Sequence, residues 1–114
     1  MNVNTKKIII RKTKIADTEI KQGIGLMFSK KKNFNYALIF PRLTESIFGS
    51  SIHMMFVFYK IHVIFLDKNK KVVDIKKNLC PFWFYAPKKA SKYVIELPTN
   101  INLDNIKINH KLKW

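Results

Sequence analysis

Three polar side chains in the middle of the sequence have types that could perform acid–base or metal chemistry: His53, His62 and Asp67. The two histidines are nine residues apart. A continuous strand would turn them to opposite faces, so a shared site requires a bend between them. A metal would need a third ligand from Asp67, His110 or Cys80, none of which has a recognised metal-ligand spacing. We therefore predict no metal, no cofactor and no catalytic residue, with a shallow enzymatic site near His53, His62 and Asp67 as an alternative.

Two further groups, Cys80 and Glu96, are interpreted as structural. A dyad of Cys80 with His53 or His62 stays open, because such partners are rarely adjacent in sequence, but a lone cysteine is more often an inert small hydrophobic residue. Glu96 lies in an apolar, strand-like run, where a buried carboxylate requires a cation or hydrogen-bond donors. The sequence predicts a structural ion pair between Glu96 and a lysine.

The feature that best fits a binding surface is an aromatic run followed by lysines: Phe82, Trp83, Phe84, Tyr85, Lys88, Lys89 and Lys92. Aromatic faces beside lysines hold single-stranded nucleic acid by stacking and charge. Strand alternation would place Trp83 and Tyr85 on one face and the two phenylalanines on the other, so one pair belongs to the core. Two interpretations remain: a binding platform on the side of Trp83 and Tyr85, or an ordinary packed segment with solvated lysines.

The composition is strongly basic, with 22 Lys and Arg against 7 Asp and Glu, a formal net charge of +15 on 114 residues. Such a balance favours a polyanionic partner, either nucleic acid or an acidic surface. The lysines are scattered along the chain, which is also typical of a merely solvated surface. A hydrophobic fraction of 47% excludes global disorder, and a single cysteine excludes a disulfide framework.

One short helix is predicted near the N-terminus, where Asp17 or Thr18 can act as the N-cap. Apolar residues recur with helical spacing at positions 20, 24, 27 and 28, and glycines at 23 and 25 limit the helix to about two turns. The other elements are strands at 6–15, 36–40, 93–97 and 106–112, and the stretch 52–66 is two strands or one bent strand. Pro41 and Pro98 end two of these strands, and the turn at 67–71 closes an antiparallel hairpin between 61–66 and 72–77.

These elements predict an α+β fold, mainly antiparallel β, as one domain over residues 1–114. It would be a twisted sheet or a partly open small barrel with one short helix near the N-terminus. The apolar stretch at 52–66 is 15 residues long and contains two histidines and a lysine, so it is too short and too polar to span a membrane. The first residues lack the apolar run of a signal peptide, which predicts a cytoplasmic protein.

Several short blocks carry a resemblance to a known family: GLMF at 25–28, YALIF at 36–40, SIHM at 51–54, VIFLD at 63–67, KVV at 71–73, Pro81, and YVIELP at 93–98. In this order and spacing they resemble the domain-of-unknown-function 192 proteins, also called uncharacterised protein family 0127, of bacteria and archaea. The resemblance covers residues 15–112. It implies a compact, mainly β domain without an established molecular function.

The chain departs from the pattern of the bacterial relatives at several positions. The bacterial relatives have a Trp-Met-Lys-Asn-Thr run, and the polar part of that run is where a site would lie in those proteins. In this chain the corresponding residues 53–57 are the apolar HMMFV. His62 stands where those relatives usually have aspartate, and Asn100 and Asn109 stand in place of glycine. Asparagine tolerates a positive φ angle, so left-handed turns are expected at these asparagines.

The sequence as a whole predicts a small, non-catalytic, cytoplasmic binding or accessory domain. Weak, sequence-tolerant binding of nucleic acid is one candidate activity, and an acidic protein surface is another candidate partner. The candidate ligand-binding residues are Trp83, Tyr85, Lys88, Lys89 and Lys92. The polar candidates are His53, His62, Asp67 and Glu96.

Overall fold

The computed structural model describes residues 5–7, 13–16 and 26–114, and this part of the chain is built almost entirely of strands. Its strands are β1 (Thr5–Lys7), β2 (Thr13–Ile15), β3 (Ala37–Ser46), β4 (Ile52–His53), β5 (Ile61–Leu66), β6 (Val72–Leu79), β7 (Phe84–Tyr85), β8 (Ser91–Pro98) and β9 (Lys111–Lys113). A 3₁₀ turn at Lys31–Asn33 is the helical element of the described residues. No helix in this part of the chain is long and apolar enough to cross a membrane.

The main sheet has five strands in the order β2-β3-β8-β5-β6. The β2–β3 pair is parallel and the other three pairs are antiparallel. Two short two-stranded sheets lie beside it, β1 with β9 in parallel and β4 with β7 antiparallel. Within the described residues β2 and β6 are the edges of the main sheet, which is therefore open rather than closed into a barrel.

The two faces of the main sheet carry separate hydrophobic cores. All six residues of β5 are buried, with Phe65 in one core and Ile64 in the other, as strand alternation requires. Loops that precede β3 and β5 cover the first face, and the C-terminal segment covers the second with Leu103 and Leu112. Because both faces are covered, the central strands are nearly continuous apolar runs.

The predicted hairpin between residues 61–66 and 72–77 is confirmed. β5 and β6 pair antiparallel, with Ile64 opposite Ile75. Asp67 Oδ1 accepts hydrogen bonds from the backbone N–H groups of Asn69 at 2.8 Å and Lys71 at 3.0 Å. The carboxylate thus replaces a backbone acceptor at the start of the turn.

The prediction that Pro41 ends the third strand was wrong, because β3 continues through it to Ser46. β2 pairs with β3 only as far as Ile39. Further along, the described part of the chain gives β3 a neighbour only on the β8 side. Proline lacks an N–H and is tolerated in a strand at a bulge or irregularity of the ladder. The register with β8 shifts after Pro41.

The predicted strand at 106–112 is mostly turns, and β9 covers only Lys111–Lys113. The N–H of Ile106 bonds to Leu103 O at 2.9 Å and that of His110 to Lys107 O at 3.1 Å. Asn109 has a φ angle of 75°, which confirms the left-handed turn expected there. Asn100 is not among the described residues with positive φ.

The predicted N-terminal helix is not supported. Most of it, residues 17–25, lies outside the described residues. Residues 26–28 form a turn in which Phe28 has a φ of 61°, a left-handed rather than a helical conformation. The described residues of the predicted strand at 6–15 belong to β1 and β2, which lie in different sheets. The stretch at 52–66 divides into β4 and β5, which confirms the two-strand alternative.

Candidate functional site

Four lysines from three separate parts of the chain line one open groove, which we call the lysine groove. Its volume is about 720 Å³, and its charged lining is Lys76, Lys77, Lys88, Lys107 and Asp104. Two of the lysines lie on β6, one follows β7, and one lies in the C-terminal loop. Tyr85 and the apolar residues Ile75, Leu103 and Ile106 complete the lining. The fold thus brings together cations that are scattered in the sequence.

Asp74 holds the walls of the lysine groove together. Its Oδ2 accepts a 2.6 Å hydrogen bond from the Tyr85 hydroxyl and a 3.0 Å bond from the N–H of Lys88. Its Oδ1 accepts the N–H of Ile75 at 2.8 Å. Burial raises the pKa of Tyr85 to about 12, and the hydrogen bond and charge of Asp74 act in the same direction. The hydroxyl therefore stays protonated near neutral pH and keeps the loop that carries Lys88 attached to β6.

The electrostatic balance of the groove is positive. Asp104 lies 3.6 Å from Lys77, and both side chains are at least half exposed, so this ion pair contributes little to stability. The second acid, Asp74, is buried, and hydrogen-bond donors occupy both of its oxygens. Lys76 Nζ lies 5.7 Å from the centre of the Tyr85 ring. Four lysines against these two carboxylates leave a net positive surface for an anion.

The five predicted ligand-binding residues are only partly brought together. Tyr85 and Lys88 line the lysine groove, and Lys89 is exposed on the same loop. Trp83 is 64% exposed and two residues from Tyr85. Lys92 is half-buried and directed elsewhere, because its Nζ donates to the carbonyl oxygen of Arg42.

The predicted alternation of the aromatic run was wrong. Phe82, Trp83 and Phe84 are all exposed, at 47%, 64% and 68%. Tyr85 alone packs inward, with its ring 5.6 Å from that of Phe65. The cause is a turn: Phe82 has a φ of 61°, and β7 includes only Phe84–Tyr85. The run therefore has no two-faced strand geometry along most of its length.

The polar residues proposed for an enzymatic site do not converge. His62 is buried on β5, and its Nδ1 accepts the N–H of Asn78 at 3.1 Å. Burial lowers the pKa of His62, although a hydrogen bond with the backbone of Thr99 opposes this shift. Asp67 lies five residues further along the chain, about 16 Å away for an extended strand. His53 is exposed on β4, in a different sheet. The described residues contain no cluster of three metal-ligating side chains.

Glu96 is a buried carboxyl group on β8. It is 5% exposed, lies opposite Leu38 and Val63 on the neighbouring strands, and its Oε1 has no hydrogen-bond partner among the described residues. Burial raises its pKa to about 8, and the charge of Arg42 acts in the opposite direction. The predicted lysine partner was wrong, because the cation that acts on Glu96 in this part of the chain is an arginine.

Cys80, expected as a small inert hydrophobic residue, is exposed and free. Its Sγ lies 3.8 Å from the carbonyl oxygen of Asn78. Within the described residues Cys80 makes no hydrogen bond to a histidine, so the structure offers no support for a cysteine–histidine dyad.

The described residues form a mainly β, antiparallel-rich protein, which has an open mixed sheet and a basic groove at the β6 edge of that sheet. The chain belongs to the domain-of-unknown-function 192 family, whose model, described as "Uncharacterized ACR", matches residues 1–114. This confirms the resemblance found in the sequence. The family description assigns no molecular function.

Relatives agree with this assignment, and two solved structures share the fold. An uncharacterised-family-0127 protein of Thermococcus sibiricus is 41% identical over 115 residues, covering 100% of this chain and 73% of the relative. Another from Pyrococcus furiosus is 38% identical, covering 100% and 96%. A protein of unknown function from Novosphingobium aromaticivorans has a TM-score of 0.77 at 22% identity, covering 90% of this chain and 74% of that one. A Sinorhizobium meliloti protein, provisionally described as a transcription regulator, has a TM-score of 0.72 at 14% identity. The match covers 85% of this chain and 76% of that one. At these identities the two structures show the fold alone.

Proposed function

We propose that this chain is a non-catalytic binding domain and that its lysine groove binds the phosphate backbone of nucleic acid without sequence preference. The observation that carries the proposal is the convergence of Lys76, Lys77, Lys88 and Lys107 from three chain segments on one groove. Lysines on a sheet edge alone have a simpler explanation, since charged edge strands prevent aggregation. That explanation covers Lys76 and Lys77 but not Lys88 and Lys107, which lie in loops.

The chemistry of the groove favours a phosphodiester backbone as the ligand. Lysine is a compact, mobile point charge, which suits contacts to phosphates rather than reading of base edges. The net charge of +15 adds a long-range attraction for any polyanion. Binding of this kind is weak, with a dissociation constant of about 10⁻⁴ to 10⁻⁶ M at physiological salt.

The proposal includes a cytoplasmic location, where nucleic acid is available to the protein. The single cysteine, which is free and exposed, suits a reducing compartment. The provisional description of the Sinorhizobium meliloti protein as a transcription regulator is compatible with nucleic-acid binding, but its likeness concerns the fold alone.

The test is a titration of labelled single-stranded and duplex oligonucleotides with the wild-type protein and two matched double variants. Lys88→Ala with Lys107→Ala removes two groove cations, whereas Lys68→Ala with Lys113→Ala removes two exposed cations outside the groove. We expect the groove variant to bind several-fold more weakly and the control variant to bind almost as the wild type. Equal losses in both variants would show that only net charge matters and would contradict a defined groove.

A further inference from the structure

Four phenylalanine rings form a continuous exposed cluster, which we call the phenylalanine cap: Phe28, Phe56, Phe58 and Phe82. Phe28 stacks on Phe56 with 4.8 Å between the ring centres. Phe82 meets Phe56 at 6.2 Å and Phe58 at 5.3 Å, edge to face. The four side chains are 67%, 41%, 61% and 47% exposed, in chain order. An exposed apolar patch of this kind marks an interaction surface more often than an ordinary solvated one.

The backbone of the cap is strained in a way that keeps these rings exposed. Phe28, Phe56 and Phe82 have φ angles of 61°, 58° and 61°, a left-handed conformation that is an outlier for bulky side chains. Hydrogen bonds fix these turns: the N–H of Phe28 donates to Phe56 O, and that of Phe82 to Met54 O, both at 2.8 Å. Backbone strain that the surrounding structure maintains is typical of functional sites.

The electrostatics around the cap favour an anionic occupant. The segments that carry its rings, 26–36, 52–60 and 78–90, contain six lysines, at 30, 31, 32, 60, 88 and 89, and no aspartate or glutamate. A second copy of a chain with net charge +15 would be repelled from this surface, whereas a polyanion would be attracted. The occupant should therefore combine negative charge with flat apolar groups, a combination that nucleic acid with unpaired bases provides.

The cap and the lysine groove are joined by a short segment of chain. Phe82 in the cap and Tyr85 in the groove are three residues apart, so their Cα atoms lie within about 11 Å of each other. Trp83, 64% exposed, lies between them in the chain. A single strand of nucleic acid whose phosphates lie in the groove can thus place neighbouring bases against the cap.

We propose that the phenylalanine cap is a base-stacking subsite that makes the domain selective for single-stranded over duplex nucleic acid. This rests on the proposed function, because the lysine groove supplies the phosphate contacts. Stacking on aromatic rings requires unpaired bases and tolerates any sequence, since every base has a π face. A duplex hides its base faces, so it can use only the groove.

The test compares single-stranded and duplex affinities of a triple variant, Phe28→Asn with Phe58→Ser and Phe82→Asn. Asparagine accepts positive φ better than phenylalanine, so two of the changes relieve strain and the variant should fold. The control is Phe48→Ser, because Phe48 is 96% exposed and outside the cap. The probes are a labelled oligothymidine strand and a blunt duplex of equal length. We expect the triple variant to lose about fivefold or more in affinity for the strand, with duplex affinity and the control unchanged.

Equal losses for strand and duplex, or no loss for the strand, would overturn the stacking subsite. Should the triple variant fail to fold, Phe58→Ser alone must show a loss of about fivefold for the strand, because Phe58 lies outside the left-handed positions. If the Lys88→Ala and Lys107→Ala variant keeps its affinity while the triple variant loses affinity, the lysine groove is contradicted as the phosphate site, and the stacking role of the cap is still supported. Self-association or binding to anionic vesicles that disappears in the triple variant, with oligonucleotide affinity unchanged, would assign the cap to another partner and overturn the proposal.

Discussion

The hydroxyl of Tyr85 donates a 2.6 Å hydrogen bond to Asp74 Oδ2, and this contact joins the aromatic strand β7 to the edge strand β6. The same oxygen accepts the N–H of Lys88, so one buried carboxylate attaches both Tyr85 and Lys88 to β6. The lysine groove is in this sense built around Asp74. The geometry of the groove should therefore depend on Asp74, an acidic residue that does not need to contact the anionic ligand.

Tyr85→Phe should therefore lower both stability and affinity. The variant keeps the ring that packs on Phe65 and loses the hydrogen bond to a buried carboxylate, which contributes about 1–3 kcal/mol. Urea unfolding measures the loss of stability, and an oligonucleotide titration below the transition measures affinity. Tyr93→Phe is the matched control, since the Tyr93 ring packs on Trp114 away from the groove. A variant that binds and unfolds like the wild type would show that this hydrogen bond positions nothing.

The buried carboxyl of Glu96 predicts a fall in stability as the pH rises. Its pKa is raised by burial to about 8 from an ordinary value of 4.5, so the folded state holds the proton more tightly than the unfolded state. The stabilisation is complete below the unfolded pKa, declines as the pH rises, and is lost above about pH 8.

Urea unfolding between about pH 7.5 and 9 isolates this effect from His62, because its pKa is lowered in the fold and its ordinary value of 6.5 lies below this range, so it is neutral in both states. The wild type should lose stability up to about pH 8 and then level off. Glu96→Gln, which cannot ionise, should remove this slope, and Glu45→Gln, at an exposed position, should retain it. A wild-type pH dependence equal to that of Glu96→Gln would mean that Glu96 is already ionised in the fold and would contradict the raised pKa.

Trp83→Ala tests whether the aromatic run contributes to binding. The side chain is 64% exposed, so its removal should change the free energy of unfolding by no more than about 0.5 kcal/mol. If bases stack on it, affinity for a single strand should fall by about 1–3 kcal/mol with a smaller effect on duplex. Phe48→Ser is again the control. Unchanged affinity for the single strand would remove Trp83 from the candidate site.

Local patterns predicted the parts of this fold that depend on neighbouring residues. The hairpin of β5 and β6 follows from two apolar runs around the Asp67 turn, and the left-handed turn at Asn109 follows from its residue type. Patterns failed where distant segments decide the outcome. β3 continues through Pro41 because it pairs with the distant strand β8 both at Pro41 and beyond it, and β9 pairs with β1 from the other end of the chain.

The candidate site was predictable only in part, for the same reason. Tyr85 and Lys88 were found because aromatic residues and lysines are neighbours in sequence. Lys76 and Lys107 were missed, because only the fold brings them to the same groove as Lys88. The cap was missed because the phenylalanines at 56 and 58 lie in the most apolar stretch of the chain, where the sequence pattern gives no sign of exposure. Their exposure follows from turns that no hydrophobic pattern encodes.

The salt dependence of oligonucleotide binding tests the lysine groove most directly. Each phosphate neutralised on a single strand adds about 0.7 to the slope of log affinity against log salt concentration. The Lys88→Ala and Lys107→Ala double variant should therefore have a slope shallower than that of the wild type by about 1.4. The control double variant at Lys68 and Lys113 should keep the wild-type slope. Identical slopes for wild type and groove variant would contradict the assignment of these lysines to phosphate contacts.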